Sequence, residues 1–209
     1  MVTRVKICGI TNVDDAMWVA EQGADAIGFI FASSPRQVTE ELARAIRQKL
    51  PPFVSTVGIF VEPDPRRVME TYEAVGLDFI QLYRSDDRRF LRESKLAPTR
   101  LICAISVACE EDLKDIEDAC GGTILLDTKV KGKVGGTGTT FDWNLAVKAR
   151  AYGKPIILSG GLNPDNVAEA IEIASPDAVD VASGVESAPG RKDRKKVRNF
   201  IRRAKGYVT

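Results

Sequence analysis

The chain has 209 residues, 44% of them hydrophobic, and its 30 Lys and Arg against 29 Asp and Glu leave a formal net charge of +1. That balance excludes a nucleic-acid protein working by bulk phosphate neutralisation, so any anion site must be local. The length supports one large core, and the even alternation of element types offers no place to divide it, so residues 1–209 are expected to form a single domain.

No run approaches about 18 uninterrupted apolar residues, and Met1-Val2-Thr3-Arg4-Val5-Lys6 enters a strand at once, which predicts a cytoplasmic protein with no membrane partner. The chain has no histidine, and Cys8, Cys103, Cys109 and Cys120 form no Cys-x-x-Cys pair. Zinc and Ser-His-Asp chemistry are thereby disfavoured. Proton transfer then falls to cysteine, carboxylate, lysine or tyrosine.

Taken in order, Arg4–Cys8 reads as a first strand, followed by Val13, Ala16, Met17 and Ala20 on one helical face. Ala26–Phe31 is the second strand, with Ser33-Ser34-Pro35-Arg36 behind it, and Ser55–Phe60 is the third. Asp64-Pro65 supplies a cap and a first-turn proline ahead of Val68, Met69, Tyr72 and Val75. Phe79–Leu82, which carries Gln81, Leu101–Ile105 and Thr123–Asp127 continue the series. From Thr128 to Thr140 the chain holds Gly132, Gly135, Gly136 and Gly138 with Lys129, Lys131 and Lys133, the composition of a mobile lid or of a plain solvated connection. It is not a P-loop, because no Gly-Lys-Ser/Thr follows the glycines.

Pro155–Leu158 and Ala178–Val181 are short apolar runs of the kind that parallel strands bury on both faces. Each leads into a glycine turn, Ser159-Gly160-Gly161 and Ala182-Ser183-Gly184, where backbone N–H groups can approach an anion closely. Asn163-Pro164-Asp165 repeats the helix-start signal ahead of Val167, Ala168 and Ile171, and Val197, Phe200, Ile201 and Ala204 form the last stripe. Eight strands each followed by a helix, about 26 residues per unit (209 divided by 8), predict an α/β protein folded as a single-domain (β/α)8 TIM barrel, with a doubly wound open sheet as the alternative. The barrel is favoured because the glycine turns follow strands seven and eight, where barrels hold phosphate, with Val185–Ala188 expected to form a short extra helix. The N–H groups around Gly160, Gly161, Ser183, Gly184 and Val185 are the expected phosphate donors. Arg36 suits a carboxylate, which a guanidinium fork binds in a bidentate way, or a surface pairing near the second helix, and Gln81 and Asp180 are candidates for meeting substrate hydroxyls or for holding the loops. Cys103, Cys109 and Cys120 read as buried fillers.

Lys6-Ile7-Cys8-Gly9-Ile10-Thr11, Ser34-Pro35-Arg36, Leu125-Leu126-Asp127-Thr128, Gly135-Gly136-Thr137-Gly138 with Phe141-Asp142-Trp143, Ser159-Gly160-Gly161-Leu162 and Asp180-Val181-Ala182-Ser183-Gly184-Val185-Glu186 together resemble the phosphoribosylanthranilate isomerases of tryptophan biosynthesis, from residue 4 to about residue 193. The resemblance implies an Amadori rearrangement of N-(5'-phosphoribosyl)anthranilate by an enzyme without metal or organic cofactor, with Asp127 as general acid and Cys8 as general base. Lys6, two residues from Cys8 on the same strand face, is placed to favour a thiolate, whereas Asp127 needs burial or a nearby anion to hold a proton. One departure from the family stands out. Its fourth strand commonly runs Gln-Leu-His-Gly, and this chain has Gln81-Leu82-Tyr83-Arg84-Ser85. Two other readings are a related phosphate-handling barrel isomerase of histidine biosynthesis, or one serving both pathways, and a barrel that binds a phosphorylated ligand without catalysis. The expected partner is a small phosphorylated molecule rather than nucleic acid, and Phe53 and Val54 allow either a monomer or a homodimer.

Overall fold

A computed structural model describes residues 2–62, 64–83, 87–128 and 141–207. Its strands β1 (Arg4–Cys8), β2 (Ala26–Ile30), β3 (Ser55–Val61), β4 (Phe79–Tyr83), β5 (Leu101–Val107), β6 (Thr123–Thr128), β7 (Ile156–Leu158) and β8 (Ala178–Val181) pair in parallel and in sequence order. β8 returns to β1, closing the barrel and excluding the open sheet. Helices α1 (Val13–Glu21), α2 (Glu40–Arg47), α3 (Pro65–Val75), α4 (Asp87–Ser94), α5 (Asp115–Asp118), α6 (Asn144–Ala149), α7 (Val167–Ala174) and α8 (Arg194–Ala204) follow the strands in turn.

The two-residue period of each strand divides the core into two layers. Val5 and Ile7 of β1 and Ile124 and Leu126 of β6 face the helices, while Cys8 and Leu125 pack inside the barrel with Val57, Ile59, Ile102 and Ile157. On α8 the stripe Val197, Phe200, Ile201 and Ala204 is buried although most of the helix is basic. Each large apolar side chain so buried contributes roughly 1.5–3 kcal/mol, against a few tenths for a solvated like-charge pair, so the stripe decides the packing.

At the amino ends of the strands, Asp25, Asp78 and Asp177 each precede a strand and accept the N–H of a neighbour, from Val5, Thr56 and Ile156, at 2.8 Å in every case. These bonds fix the stagger of three strand pairs and leave the opposite end for loops.

Three local expectations are corrected. The final turn of helix is a 3-10 turn at Ser183–Val185, and the residues after it form a hairpin, β9 (Glu186–Ala188) with β10 (Arg191–Lys192), in place of a short helix over 185–188. Gly190, at φ +79°, makes the reversal between them. Helix α7 starts at Val167, later than Asn163-Pro164-Asp165 suggests, because the Asn163 side chain accepts from Asp165 N–H and folds those residues into a turn. Cys103 is buried, but Cys109 is exposed and Cys120 half-buried, since the segment between β5 and β6 carries only a short 3-10 turn and α5, too little helix to cover both. Among the described residues, no helix is long and apolar enough to cross a membrane.

Candidate active site

The carboxyl ends of the strands open into a cavity of about 740 Å³, lined among others by Cys8, Arg36, Gln81, Tyr83, Asp127 and Asp180. Five candidate residues from five different strands or loops thus meet in one place, in a volume suited to a small ligand.

Cys8 ends β1 with its thiol inside the barrel. It stands in register with Gly28 of β2, where a Cβ would lie 2.9 Å from the Cys8 sulfur, so a glycine at that position makes room for the thiol. One step down the strand, Lys6 stands in register with Asp180 of β8, and its Nζ donates to Asp180 Oδ1 at 2.9 Å with both side chains almost fully buried. Burial opposes the charge on Lys6, yet Asp180 and Cys8 beside it hold its pKa above the ordinary lysine value. Burial pushes the Cys8 thiol up, and Lys6 and Lys192 pull it back. Asp180 is therefore the counter-ion of Lys6 as well as a cavity wall, with Ser159 Oγ at 3.5 Å from its second oxygen.

Asp127, next to last in β6, is buried with Oδ1 accepting Thr128 N–H at 2.8 Å and Oδ2 accepting the Tyr83 hydroxyl at 3.0 Å. Burial raises its pKa against the pull of those two donors, in the direction a general acid needs. Gln81 is 1% exposed, faces the cavity, and its Oε1 has no hydrogen-bond partner among the described residues. A buried acceptor left open is costly unless a ligand supplies the donor.

Arg36 reaches the cavity but is already half engaged. Its Nε donates to Glu186 Oε1 at 2.9 Å and its Nη2 to Oε2 at 2.7 Å, a bidentate pair across 150 residues. One fork of the guanidinium is used by the protein, and Nη1 donates to none of the described residues. Hydrogen bonding to Glu186 holds Arg36 even above its usual range. Glu186 in turn accepts from Lys192 Nζ at 2.9 Å, and the same ammonium donates to the Cys8 carbonyl at 2.7 Å. Sequence reading passed over Glu186 and Lys192 as chemistry, because their partners lie on other strands and loops. Glu186 closes the segment Asp180-Val181-Ala182-Ser183-Gly184-Val185-Glu186, which is the local signal for it.

The two glycine turns meet where Gly184 approaches Leu162; Ser159 and Ala182 at their starts line the cavity, whereas Gly160, Gly161, Ser183, Gly184 and Val185 do not, and Gly184 lines a separate pocket with Asn163 and Lys196. A Cβ on Gly184 would fall 1.9 Å from the Leu162 carbonyl, and one on Gly160 would fall 2.5 Å from Thr128 N. Gly160 and Gly161 have φ of +80° and +66°. Contact this close, between the two turns at Gly184 and against the end of β6 at Gly160, is available only to glycine. The Val185 side chain, by contrast, is buried in the core, so only its backbone could serve an anion. Gly184→Ala is expected to raise KM for a phosphorylated substrate about tenfold with a smaller change in kcat, because the backbone must move off Leu162; steady-state kinetics checks it. The proposed lid over Thr128–Thr140 lies outside the described residues beyond Thr128 itself, as do Arg84 and Ser85.

A closed (β/α)8 barrel whose last two strands end in glycine turns, with a thiol and a carboxyl from different strands facing one cavity, has the form of a barrel enzyme acting on a small molecule. Residues 5–203 match the family described as N-(5'phosphoribosyl)anthranilate (PRA) isomerase. The N-(5'-phosphoribosyl)anthranilate isomerase of Geobacter sulfurreducens is 49% identical over 205 residues, covering 98% of this chain and 99% of that one. The crystal structure of phosphoribosyl anthranilate isomerase from Thermotoga maritima superposes with a TM-score of 0.88 at 44% identity, over 98% of this chain and 99% of that one. A further solved isomerase, in complex with reduced 1-(o-carboxyphenylamino)-1-deoxyribulose 5-phosphate, gives a TM-score of 0.84 at 41% identity over 98% and 99% of the two chains. This chain belongs to the N-(5'-phosphoribosyl)anthranilate isomerase family.

Proposed function

We propose that the chain converts N-(5'-phosphoribosyl)anthranilate to 1-(2-carboxyphenylamino)-1-deoxyribulose 5-phosphate, an intramolecular isomerisation in tryptophan biosynthesis, with Asp127 as acid and Cys8 as base. Protonated Asp127 gives its proton to the ribose ring oxygen. The C1'–O bond breaks with its electron pair going to that oxygen, and the anthranilate nitrogen lone pair forms the iminium. The Cys8 thiolate then takes the C2' proton, the released pair forms the C1'–C2' double bond, and the nitrogen recovers its lone pair. The resulting enolamine tautomerises to the ketone. One proton is given and one taken, so substrate and product are isomers and the sequence needs no redox partner.

The remaining groups fit the same substrate. The free edge of Arg36 takes the anthranilate carboxylate, the glycine turns take the phosphate through Gly160, Gly161, Ser183, Gly184 and Val185, and Gln81 and Asp180 meet the hydroxyls. The observation that carries this reading is the convergence of Cys8, Asp127 and the free edge of Arg36 on one cavity beside the glycine turns. A cytoplasmic setting suits it, since Cys8 is a free thiol whose chemistry needs a reducing compartment.

The test is the decay of anthranilate-type fluorescence when the purified protein meets phosphoribosylanthranilate generated in situ. Decay well above the uncatalysed rate is expected, and none in a folded sample would overturn the reading. Association into a homodimer belongs to the same proposal. Phe53 is 99% exposed at φ +73° and the relative from Thermotoga maritima is described as dimeric. Sedimentation is expected to give twice the chain mass, and Phe53→Asp to return it to the monomer.

A further inference from the structure

We propose that Tyr83 is a positioning residue for Asp127, fixing its carboxyl plane through Oδ2 and stabilising the carboxylate left once the proton has passed to the substrate. The inference rests on the acid role given to Asp127 above.

Tyr83 ends β4 and Asp127 lies on β6, so the hydroxyl has to cross β5 to reach it. It can do so because, beyond Ile102, the inner-face residues toward the carboxyl end of β5 are small, Ala104 in the barrel interior and Ser106 in register with Asp127. The 3.0 Å hydrogen bond from the hydroxyl to Oδ2 complements the 2.8 Å bond from Thr128 N–H to Oδ1. With both oxygens held, the carboxyl cannot turn about its bond to Cβ. Thr128 N–H can only donate, whereas a hydroxyl both donates and accepts, so Tyr83 can follow the carboxyl through both protonation states.

Burial and the nearby Asp127 hold the phenol well above its ordinary value, which keeps the donor in place at every pH at which the enzyme works. An imidazole at this position, with an ordinary pKa of about 6.5, would itself change charge within the neutral range. Among the described residues, the other ionisable groups around Asp127 and Tyr83 are Asp180 on β8 and Lys6 on β1, which are paired with each other, and Cys8 on β1. Tyr83 is therefore the side-chain donor to this carboxyl among the described residues.

The experiment compares wild type, Tyr83→Phe and Asp127→Asn, with carbon-13 in the aspartate carboxyls and the tyrosine ring. The Asp127 signal is assigned by its loss in Asp127→Asn, and circular dichroism reports folding. In Tyr83→Phe the Asp127 midpoint is expected to rise by about one pH unit and kcat to fall roughly tenfold, with KM unchanged. In the unmutated protein the Tyr83 Cζ signal is expected to move as Asp127 titrates. An unchanged Asp127 midpoint in folded Tyr83→Phe, or a Tyr83 signal indifferent to Asp127, would overturn the proposal. Full turnover by Asp127→Asn would instead remove the acid role, a separate failure.

Discussion

Asp127→Asn is expected to lower kcat by about 10²- to 10⁴-fold, the usual worth of a positioned general acid, while the fold melts as before. Asparagine has the same shape. Its Oδ1 can still accept Thr128 N–H, and its amide can donate to a Tyr83 hydroxyl turned to accept, so neither hydrogen bond of the native carboxyl is left unmade. What the amide lacks is a proton it can release to a sugar oxygen. The fluorescence assay with a thermal melt beside it separates the two effects. Retention of more than a tenth of the wild-type rate would remove Asp127 from the acid role.

Cys8→Ser is expected to cost a similar factor for the opposite reason. The hydroxyl fits the space that Gly28 leaves for the thiol, but it does not ionise in the accessible pH range, so the C2' proton has no acceptor. The pair also sets the pH dependence. Burial raises Cys8 against Lys6, and burial raises Asp127 against Tyr83 and Thr128. The active form needs the thiolate and the carboxylic acid together. At low pH the thiol keeps its proton, and at high pH the carboxyl has lost its own, so the rate is expected to peak between the two macroscopic values and fall on either side. A profile that climbs to a plateau without an alkaline fall would leave Asp127 without a proton-donating role.

Several elements could be read from local signals. The strands are short apolar runs bounded by glycine, proline or polar residues, and all eight expected runs form β1–β8, two with the expected ends and six with one end shifted by one or two residues. Asp64 with Pro65 caps α3 as the local pattern requires, with Asp64 accepting from Arg66 N–H. The glycine turns were legible because positive φ and close backbone approach demand one residue type, as Gly160, Gly161 and Gly184 show. The hairpin β9–β10 was missed because four residues of moderate propensity do not distinguish a helical turn from an edge strand. There the decision came from long-range bonds, such as Lys196 Nζ to the Glu186 carbonyl and Lys192 N–H to Asp15.

The sequence by itself determined the order of strands and helices, the faces that could be buried, the places where the backbone must be glycine, and the family motifs that point to a phosphorylated sugar substrate. These depend on dihedral preference and periodicity, which act over a few residues. Only the tertiary structure decided which charges meet. Lys6 finds Asp180 across 174 residues because β8 closes on β1, Arg36 spends one fork on Glu186 across 150, and Tyr83 reaches Asp127 over β5. Each pairing follows from barrel closure and strand register, and those are set by the packing of the whole chain rather than by any segment of it.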